Sequence, residues 1–285
     1  MKRSDVTTLG WDEYELLDSG EGRKLERFGD IVLDRPDTQA LWKKEHSVLW
    51  ERAQASFSWA DKGERWFLQT EIPQTWTLPY TELQFILSLK QFKHVGLFPE
   101  HEPQWQEIAA LCKAHPGLRV LNLFGYTGAA SVVAAAAGAT VTHVDASKQT
   151  IEIVKENLAA SALPSDSIRL VCEDALRYAK RLVARGEQFE VIIMDPPAFG
   201  RGPKGEVWKI EEGLADVVAL VPQLLSERAK LVLLNGYTAG YSARTFGELL
   251  HDVLPSGTVT FGDIGIAQKN SDRVLTTGMY GKWEK

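Results

Sequence analysis

Only two cysteines, Cys112 and Cys172, occur in 285 residues. They stand in no metal-ligand spacing and cannot build a disulfide scaffold, so no metal is expected and a reducing cytoplasm is the expected compartment. No apolar run is long enough to cross a bilayer, and the opening "MKRSDVTTLGWDEYELLD" has no apolar core of a signal peptide. A membrane partner is therefore not expected. Positive charge is not in excess either. The net charge of −6 argues against broad electrostatic binding of nucleic acid, though it leaves room for a local basic groove. Internal repeats and low-complexity tracts are absent.

What is present divides the chain. Trp11, Trp42, Trp50, Trp59, Trp66 and Trp76 all precede residue 80, whereas three of the nine tryptophans follow it. In this first part "YELLDSGEGRKLERFGDIVLDRP" reads as strand, glycine-containing turn, strand, stopped by Pro36. A small aromatic-rich, mainly β domain over residues 1–80 is predicted. Its aromatics can be read as platforms for stacking RNA bases or as the large side chains a small core needs.

From about Gly117 the rhythm changes. "LRVLNLF", "TVTHVDAS", "SIRLVCED", "FEVIIMDPP" and "KLVLLNG" are short strand-like runs. Between them lie "TGAASVVAAAAGA", "KQTIEIVKENLAASAL", "ALRYAKRLVARG" and "IEEGLADVVALVPQLLSERA", with helical spacing and a bend expected at Pro222. Alternating strands and helices predict an α/β domain over residues 81–285, a parallel sheet with helices on both faces.

Such sheets bind ligands at the carboxyl ends of their strands. There "NLFGYTGAAS" places Gly125 and Gly128 in a strand-to-helix turn, where glycine permits positive φ and lets backbone N–H groups approach a ligand. Asp145, ending the second strand, can accept the hydroxyl hydrogens of a ribose; it can also cap the next helix, a task Ser147 could share. Asp174, ending the third strand, can accept from an adenine amino group or act as a cap. Together with the turn these acids favour an adenosine ligand. A dinucleotide fingerprint would need glycine where Phe124 stands. "DPPAF", from Asp195 to Phe199, ends the fourth strand. Pro196 and Pro197 fix the backbone and remove two donors, leaving carbonyls and the Asp195 carboxylate aimed at a cleft and Phe199 free to stack. Beyond it "FGRGPKGEVWK" carries Arg201, Lys204 and Lys209 among three glycines, a flexible loop that either contacts phosphate or is merely solvated.

With these residues in hand, the chain resembles class I S-adenosylmethionine-dependent methyltransferases, in particular the group that includes bacterial 23S ribosomal RNA base methyltransferases. The resemblance runs from about Lys93 to the C-terminus and rests on "KHVGLFPEH", "VLNLFGYTGAAS", "VDAS", "CEDA" and "MDPPAF". It implies a Rossmann-like seven-stranded sheet, with "TVTFGDIGIAQ" and "RVLTTGMYGKW" as the last two strands and the final one antiparallel. It implies S-adenosyl-L-methionine as cofactor and a covering segment at Gly96, Phe98 and Glu100. Phe124, Gly125, Tyr126, Thr127 and Gly128 then line the methionine end, Asp145 holds the ribose and Asp174 reads the adenine, with Asn122, Ala146, Ser147 and Ala175 also at the cofactor. Asp195, Pro196, Pro197 and Phe199 form the catalytic motif, with Asp195 also at the cofactor; Arg201, Lys204 and Asn235 are the substrate-side candidates.

Related 5-methylcytosine enzymes carry a cysteine nucleophile after the fifth strand, where this chain reads "LLNGYTAG". Carbon methylation of cytosine needs a thiolate adduct, whereas transfer to nitrogen needs an aligned lone pair and a path for one proton. The leading expectation is methylation of a base nitrogen in RNA, ribosomal RNA favoured. Alternatives are a methyltransferase for a protein or small molecule, an RNA-associated binding module that retains a cofactor pocket, and, least favoured, a nicotinamide dehydrogenase. Cys112→Ser and Cys172→Ser, singly and together, are expected to retain methyl transfer with some loss of stability. A covalent complex trapped on a fluorinated cytosine substrate and abolished by either change would overturn the nitrogen expectation.

Overall fold

The computed structural model describes residues 1–60, 63–90, 92–202, 205–237, 240–254 and 256–285. They form two compact units: Met1–Val6 with Gln104–Ile264 and Gly278–Lys285, and Thr7–Pro103 with Gly265–Thr277. The division expected at residue 80 falls inside the second unit. Tryptophan content does not register that the chain returns to this unit at residue 265.

In the second unit, "YELLDSGEGRKLERFGDIVLDRP" makes three strands rather than two: Tyr14–Gly20, Arg23–Phe28 and Ile31–Pro36. The extra reversal is at Gly29, whose φ of 63° suits glycine. Ala55–Ala60 and Gly63–Leu68 complete a five-stranded sheet, and Trp76–Tyr80 pairs with Leu83–Leu87 as a separate hairpin. Tyr14, Phe28, Phe57 and Phe85 are fully buried. The indole N–H groups of Trp11, Trp42, Trp50 and Trp66 bond Pro79 O, Ser19 O, Asp18 Oδ2 and Lys90 O. Most of these aromatics therefore build the small core and satisfy their own donors; Trp59 stays exposed.

The first unit is α/β. Its sheet runs in the order Lys2–Arg3, Thr258–Ala267, Val274–Glu284, Leu231–Gly236, Val191–Met194, Arg119–Leu123, Thr140–Asp145, Ile168–Cys172. The last five of these are parallel, while Val274–Glu284 is antiparallel to Leu231–Gly236. The strand Arg119–Leu123 shows why helices cover both faces. Leu121 and Leu123 join a core with Tyr178, Leu182, Leu214, Val217, Val221, Phe246 and Leu250 from helices Ala175–Ala184, Ile210–Leu224 and Ala243–Val253. Asn122, pointing the other way as strand alternation requires, bonds Ser131 of helix Ala129–Ala136. Each fully buried Leu or Phe in such a core contributes about 1.5–3 kcal/mol.

Three details depart from the sequence reading. Helix Ile210–Leu224 runs on through Pro222 in its last turn, where the missing N–H leaves the Val218 carbonyl without its usual i+4 donor. Helix Ala243–Val253 is an element the sequence pattern does not announce. "FGRGPKGEVWK" is not simply a flexible loop, because Phe199–Arg201 and Val207–Lys209 pair as an antiparallel hairpin.

The chain runs from Arg119–Leu123 outward through Thr140–Asp145 and Ile168–Cys172, then crosses back to Val191–Met194 on the other side. This reversal makes a crevice at the carboxyl ends of the two central strands. Gly125 sits at its rim, and a Cβ there would lie 2.3 Å from Cε1 and 2.5 Å from Nδ1 of the buried His143 ring. Gly125→Ala should therefore destabilise this unit by about 1–3 kcal/mol, as overpacking does, seen as a lower denaturant midpoint. A midpoint equal to wild type would mean that the His143 ring does not fix the turn.

Candidate active site

The crevice is organised by an unusual turn. Leu123 ends its strand, helix Ala129–Ala136 begins six residues later, and of the five residues between, Phe124, Tyr126 and Gly128 have φ of 58°, 50° and 86°. The expectation that both glycines supply positive φ holds for Gly128 alone. Gly125 supplies room against His143, and the left-handed conformations fall on Phe124 and Tyr126. Such backbone costs on the order of 1 kcal/mol per non-glycine residue and persists only where its surroundings impose it.

Those surroundings are explicit. Gly125 N donates to Val144 O and Gly128 N to Gly125 O, both at 3.0 Å. Asn157 Nδ2 donates to Thr127 O at 2.9 Å. Tyr126 N donates to Asp145 Oδ2 at 2.8 Å. Below the turn, Asn122 Nδ2 bonds Ser131 Oγ and Ser131 Oγ bonds His143 Nδ1, each at 2.9 Å. Asn122, expected at the cofactor, thus uses its amide to brace the turn from beneath. Burial lowers the His143 pKa to about 4, against the Tyr126 backbone, so the ring is neutral at pH 7. Beside Gly128, a Cβ would meet Val154 Cγ2 at 2.8 Å, which lets helices Ala129–Ala136 and Lys148–Ala160 approach closely.

Asp145 sits half-buried at the end of its strand. Besides the Tyr126 amide, Oδ1 accepts from Ser147 N at 2.8 Å and Thr150 Oγ1 at 2.7 Å. The cap of helix Lys148–Ala160 is Ser147, accepting from Thr150 N. Asp145 is thus not the cap; it ties the turn to the next helix. A carboxylate offers about four acceptor directions, and the described residues fill three, leaving one on Oδ2. That suits one ribose hydroxyl rather than the expected pair. Burial raises the Asp145 pKa despite these three bonds. Ala146, half-buried, follows it at the rim.

Asp174 caps helix Ala175–Ala184, accepting from Arg177 N at 2.9 Å. Ala175 behind it is buried. Neighbouring Glu173 pairs with Arg181. Cys172, exposed, stands opposite Asp145 in the sheet register, whereas Cys112 is buried in helix Glu102–Ala114.

Met194 is in register with Leu123, so Asp195 emerges beside Phe124 at the same edge, and its amide reaches Leu123 O at 3.4 Å. Pro196 is buried, Pro197 exposed, and Phe199 is 56% exposed. The carbonyls expected to face a cleft are partly engaged: Pro197 O accepts from Trp208 Nε1 at 2.7 Å and Ala198 O from Ile210 N at 3.1 Å. Trp208 also packs on Phe124, with ring centroids 4.6 Å apart. Sequence reading passed over Trp208, whose only signal is one bulky aromatic in a glycine-rich segment. Arg201 is exposed on the hairpin opposite Val207, and Lys204 lies outside the described residues.

Asn235 is not an open substrate contact. It is buried, and its Oδ1 and Nδ2 exchange two 2.9 Å hydrogen bonds with the amide of Gln104. Phe98 and Glu100 belong to the other unit, where Phe98 precedes the short helix Pro99–His101 and Glu100 is buried within it. Among the described residues, no helix is long and apolar enough to cross a membrane.

The central segment, residues 108–213, matches the family described as Conserved hypothetical protein 95. Ribosomal RNA large subunit methyltransferase K/L of Shewanella pealeana is 35% identical over 154 residues, 53% of this chain and 21% of that protein. Its counterpart in Alcanivorax borkumensis is 35% identical over 144 residues, 50% of this chain and 20% of that protein. The chain thus spans about a fifth of the length of these curated relatives. A solved structure complexed with SAH shares the fold at 19% identity, with a TM-score of 0.74 over 95% of this chain and 75% of its own. The SAM-dependent methyltransferase of Agrobacterium tumefaciens is 36% identical, with a TM-score of 0.94 over 100% of this chain and 97% of its own. With that similarity over the full length, the chain belongs to the S-adenosylmethionine-dependent methyltransferases.

Proposed function

We propose that this methyltransferase acts on a base nitrogen in RNA, with ribosomal RNA the favoured source. The observation that carries this reading is the strand exit Asp195–Phe199. It sets a carboxylate level with the cofactor turn and carries an exposed aromatic ring four residues on, with no thiol on the exit or on the strand Leu231–Gly236. The names of the Shewanella and Alcanivorax relatives support the RNA substrate.

The residues present fit the cofactor. The strained turn Phe124–Gly128 is held by Val144, Asp145 and Asn157, and Asp145 keeps an acceptor direction on Oδ2 for a ribose hydroxyl. Asp174, at a helix start, is placed at the next strand end, where an adenine amino group would be read. S-adenosylmethionine supplies a methyl group on a sulfonium whose leaving group is a neutral thioether. The chain's part is alignment and proton handling. Asp195 accepts an N–H from the acceptor's amino group, which turns the nitrogen lone pair toward the methyl and gives the departing proton a first partner. Phe199 stacks on the base and Arg201 reaches a phosphate.

Asp145→Ala should weaken S-adenosylhomocysteine binding by about 2 kcal/mol, roughly thirtyfold, measured by calorimetry. Because burial raises the Asp145 carboxyl, wild-type affinity should fall on acidification from a pH above the ordinary carboxylate range, where protonation removes the acceptor. Asp145→Asn should lack that dependence. Equal affinities across the three proteins would leave Asp145 a purely structural brace.

Transfer of labelled methyl groups to RNA tests the substrate. Arg201→Ala should reduce RNA binding and flatten its dependence on salt, because each phosphate contact releases counterions. Phe199→Ala should cost about 1–3 kcal/mol of acceptor binding. Parallel salt curves for wild type and Arg201→Ala would reject the phosphate contact. Transfer to protein or a small neutral acceptor in place of RNA would reject the RNA reading.

A further inference from the structure

A strand exit made of two prolines cannot anchor itself by donating. Pro196 and Pro197 carry carbonyls but no N–H, so the run must be held through its acceptors and its ends. Asp195 N reaches Leu123 O at 3.4 Å, Ala198 O accepts from Ile210 N at 3.1 Å, and Pro197 O accepts from Trp208 Nε1 at 2.7 Å. The last is the shortest of the three, and its donor is a side chain.

The same indole reaches the other half of the site. Its ring lies 4.6 Å from that of Phe124, centroid to centroid and tilted by 52°, and Phe124 is the first left-handed residue of the cofactor turn. On a third side, a Cβ at Gly213 would fall 2.5 Å from Trp208 Cζ3. Helix Ile210–Leu224 thus has glycine where the ring lies against it. Trp208 is 7% exposed. It stands on the hairpin strand Val207–Lys209 opposite Gly200, which gives it the inner face, while Phe199, Arg201, Val207 and Lys209 share the outer one.

We infer that Trp208 is a positioning residue for methyl transfer. Its ring sets the Phe124 side of the cofactor turn, its N–H sets the Pro197 carbonyl, and one rigid indole thereby holds cofactor and acceptor segments in a single register. Methyl transfer needs donor carbon, acceptor atom and leaving sulfur in line, and a misplacement of about 1 Å can cost on the order of a hundredfold in rate. The inference rests on reading Asp195–Phe199 as the acceptor side; it does not require the acceptor to be RNA.

Two variants separate positioning from packing. Trp208→Phe keeps an aromatic ring beside Phe124 and removes the N–H. It should melt close to wild type and bind S-adenosylhomocysteine within about threefold of it, while kcat falls at least tenfold at little change in acceptor KM. Gly213→Ala retains the indole but displaces it, and should lower kcat in the same way although alanine favours a helix. An acceptor-free measurement stands beside these. The emission of wild type minus that of Trp208→Phe should change on titration with S-adenosylhomocysteine, because the indole packs on Phe124 of the cofactor turn. A Trp208→Phe enzyme with wild-type kcat would overturn the inference. So would stability, cofactor affinity and kcat falling in parallel, or a difference emission that stays flat. If no RNA accepts the methyl group, the emission result alone decides, so failure of the substrate reading and failure of this inference are distinguishable.

Discussion

The site depends on one hydrogen bond, from the Tyr126 amide to the Asp145 carboxylate. Tyr126 is left-handed without being glycine, as is Phe124 two residues before it. Neither would hold that backbone on its own intrinsic preference. Asp145 belongs to the neighbouring strand and also accepts from Ser147 and Thr150 at the start of the next helix. One carboxylate therefore locks the turn to strand and helix together. Gly125 and the buried, neutral His143 ring make the close approach sterically feasible, and Asn157 holds the Thr127 carbonyl from a third direction.

The rest of the crevice follows from where that turn lies. Leu123 is in register with both Val144 and Met194, so Phe124, Asp145 and Asp195 leave the sheet at one level. The reversal of strand order on the two sides of Arg119–Leu123 opens the space above them. Two separate motifs, one strained and one stripped of donors by proline, are thus brought side by side. Each needs an outside partner: the turn has Asp145, and the proline run has the hairpin that carries Trp208. Gln104 and Asn235 perform an analogous service away from the chemistry, as a reciprocal buried amide pair that fastens helix Glu102–Ala114 to the strand Leu231–Gly236. Unpaired, either amide would carry a desolvation cost of about 1–3 kcal/mol.

Much of this was legible in the sequence because it is local. The five central strands, the four helices between them and the strand-end positions of Asp145, Asp174 and Asp195 follow from short apolar runs broken at regular intervals. What was not legible depends on contacts between distant residues. Asn235 reads as a substrate contact from its strand-end position alone, because its partner lies 131 residues away in sequence. The glycines of "FGRGPKGEVWK" read as a flexible loop because three-residue strands are too short to show a period, and Trp208 draws its role from Phe124 and Gly213 rather than from its neighbours. Sequence suggests a φ role for Gly125, whereas its contribution is the absent Cβ beside His143. In the β-rich unit, Gly29 disguised a third strand.

The central claim concerns the atom that receives the methyl group. It is tested by incubating the protein with isotopically labelled S-adenosylmethionine and ribosomal RNA from a strain lacking the gene, then digesting the RNA and locating the label by mass spectrometry. A carboxylate at Asp195, with no cysteine on the exit Asp195–Phe199 or on the strand Leu231–Gly236, calls for the label on a base nitrogen. Label on carbon 5 of a pyrimidine, on a ribose oxygen, or absent from RNA while the protein binds the cofactor would contradict the account.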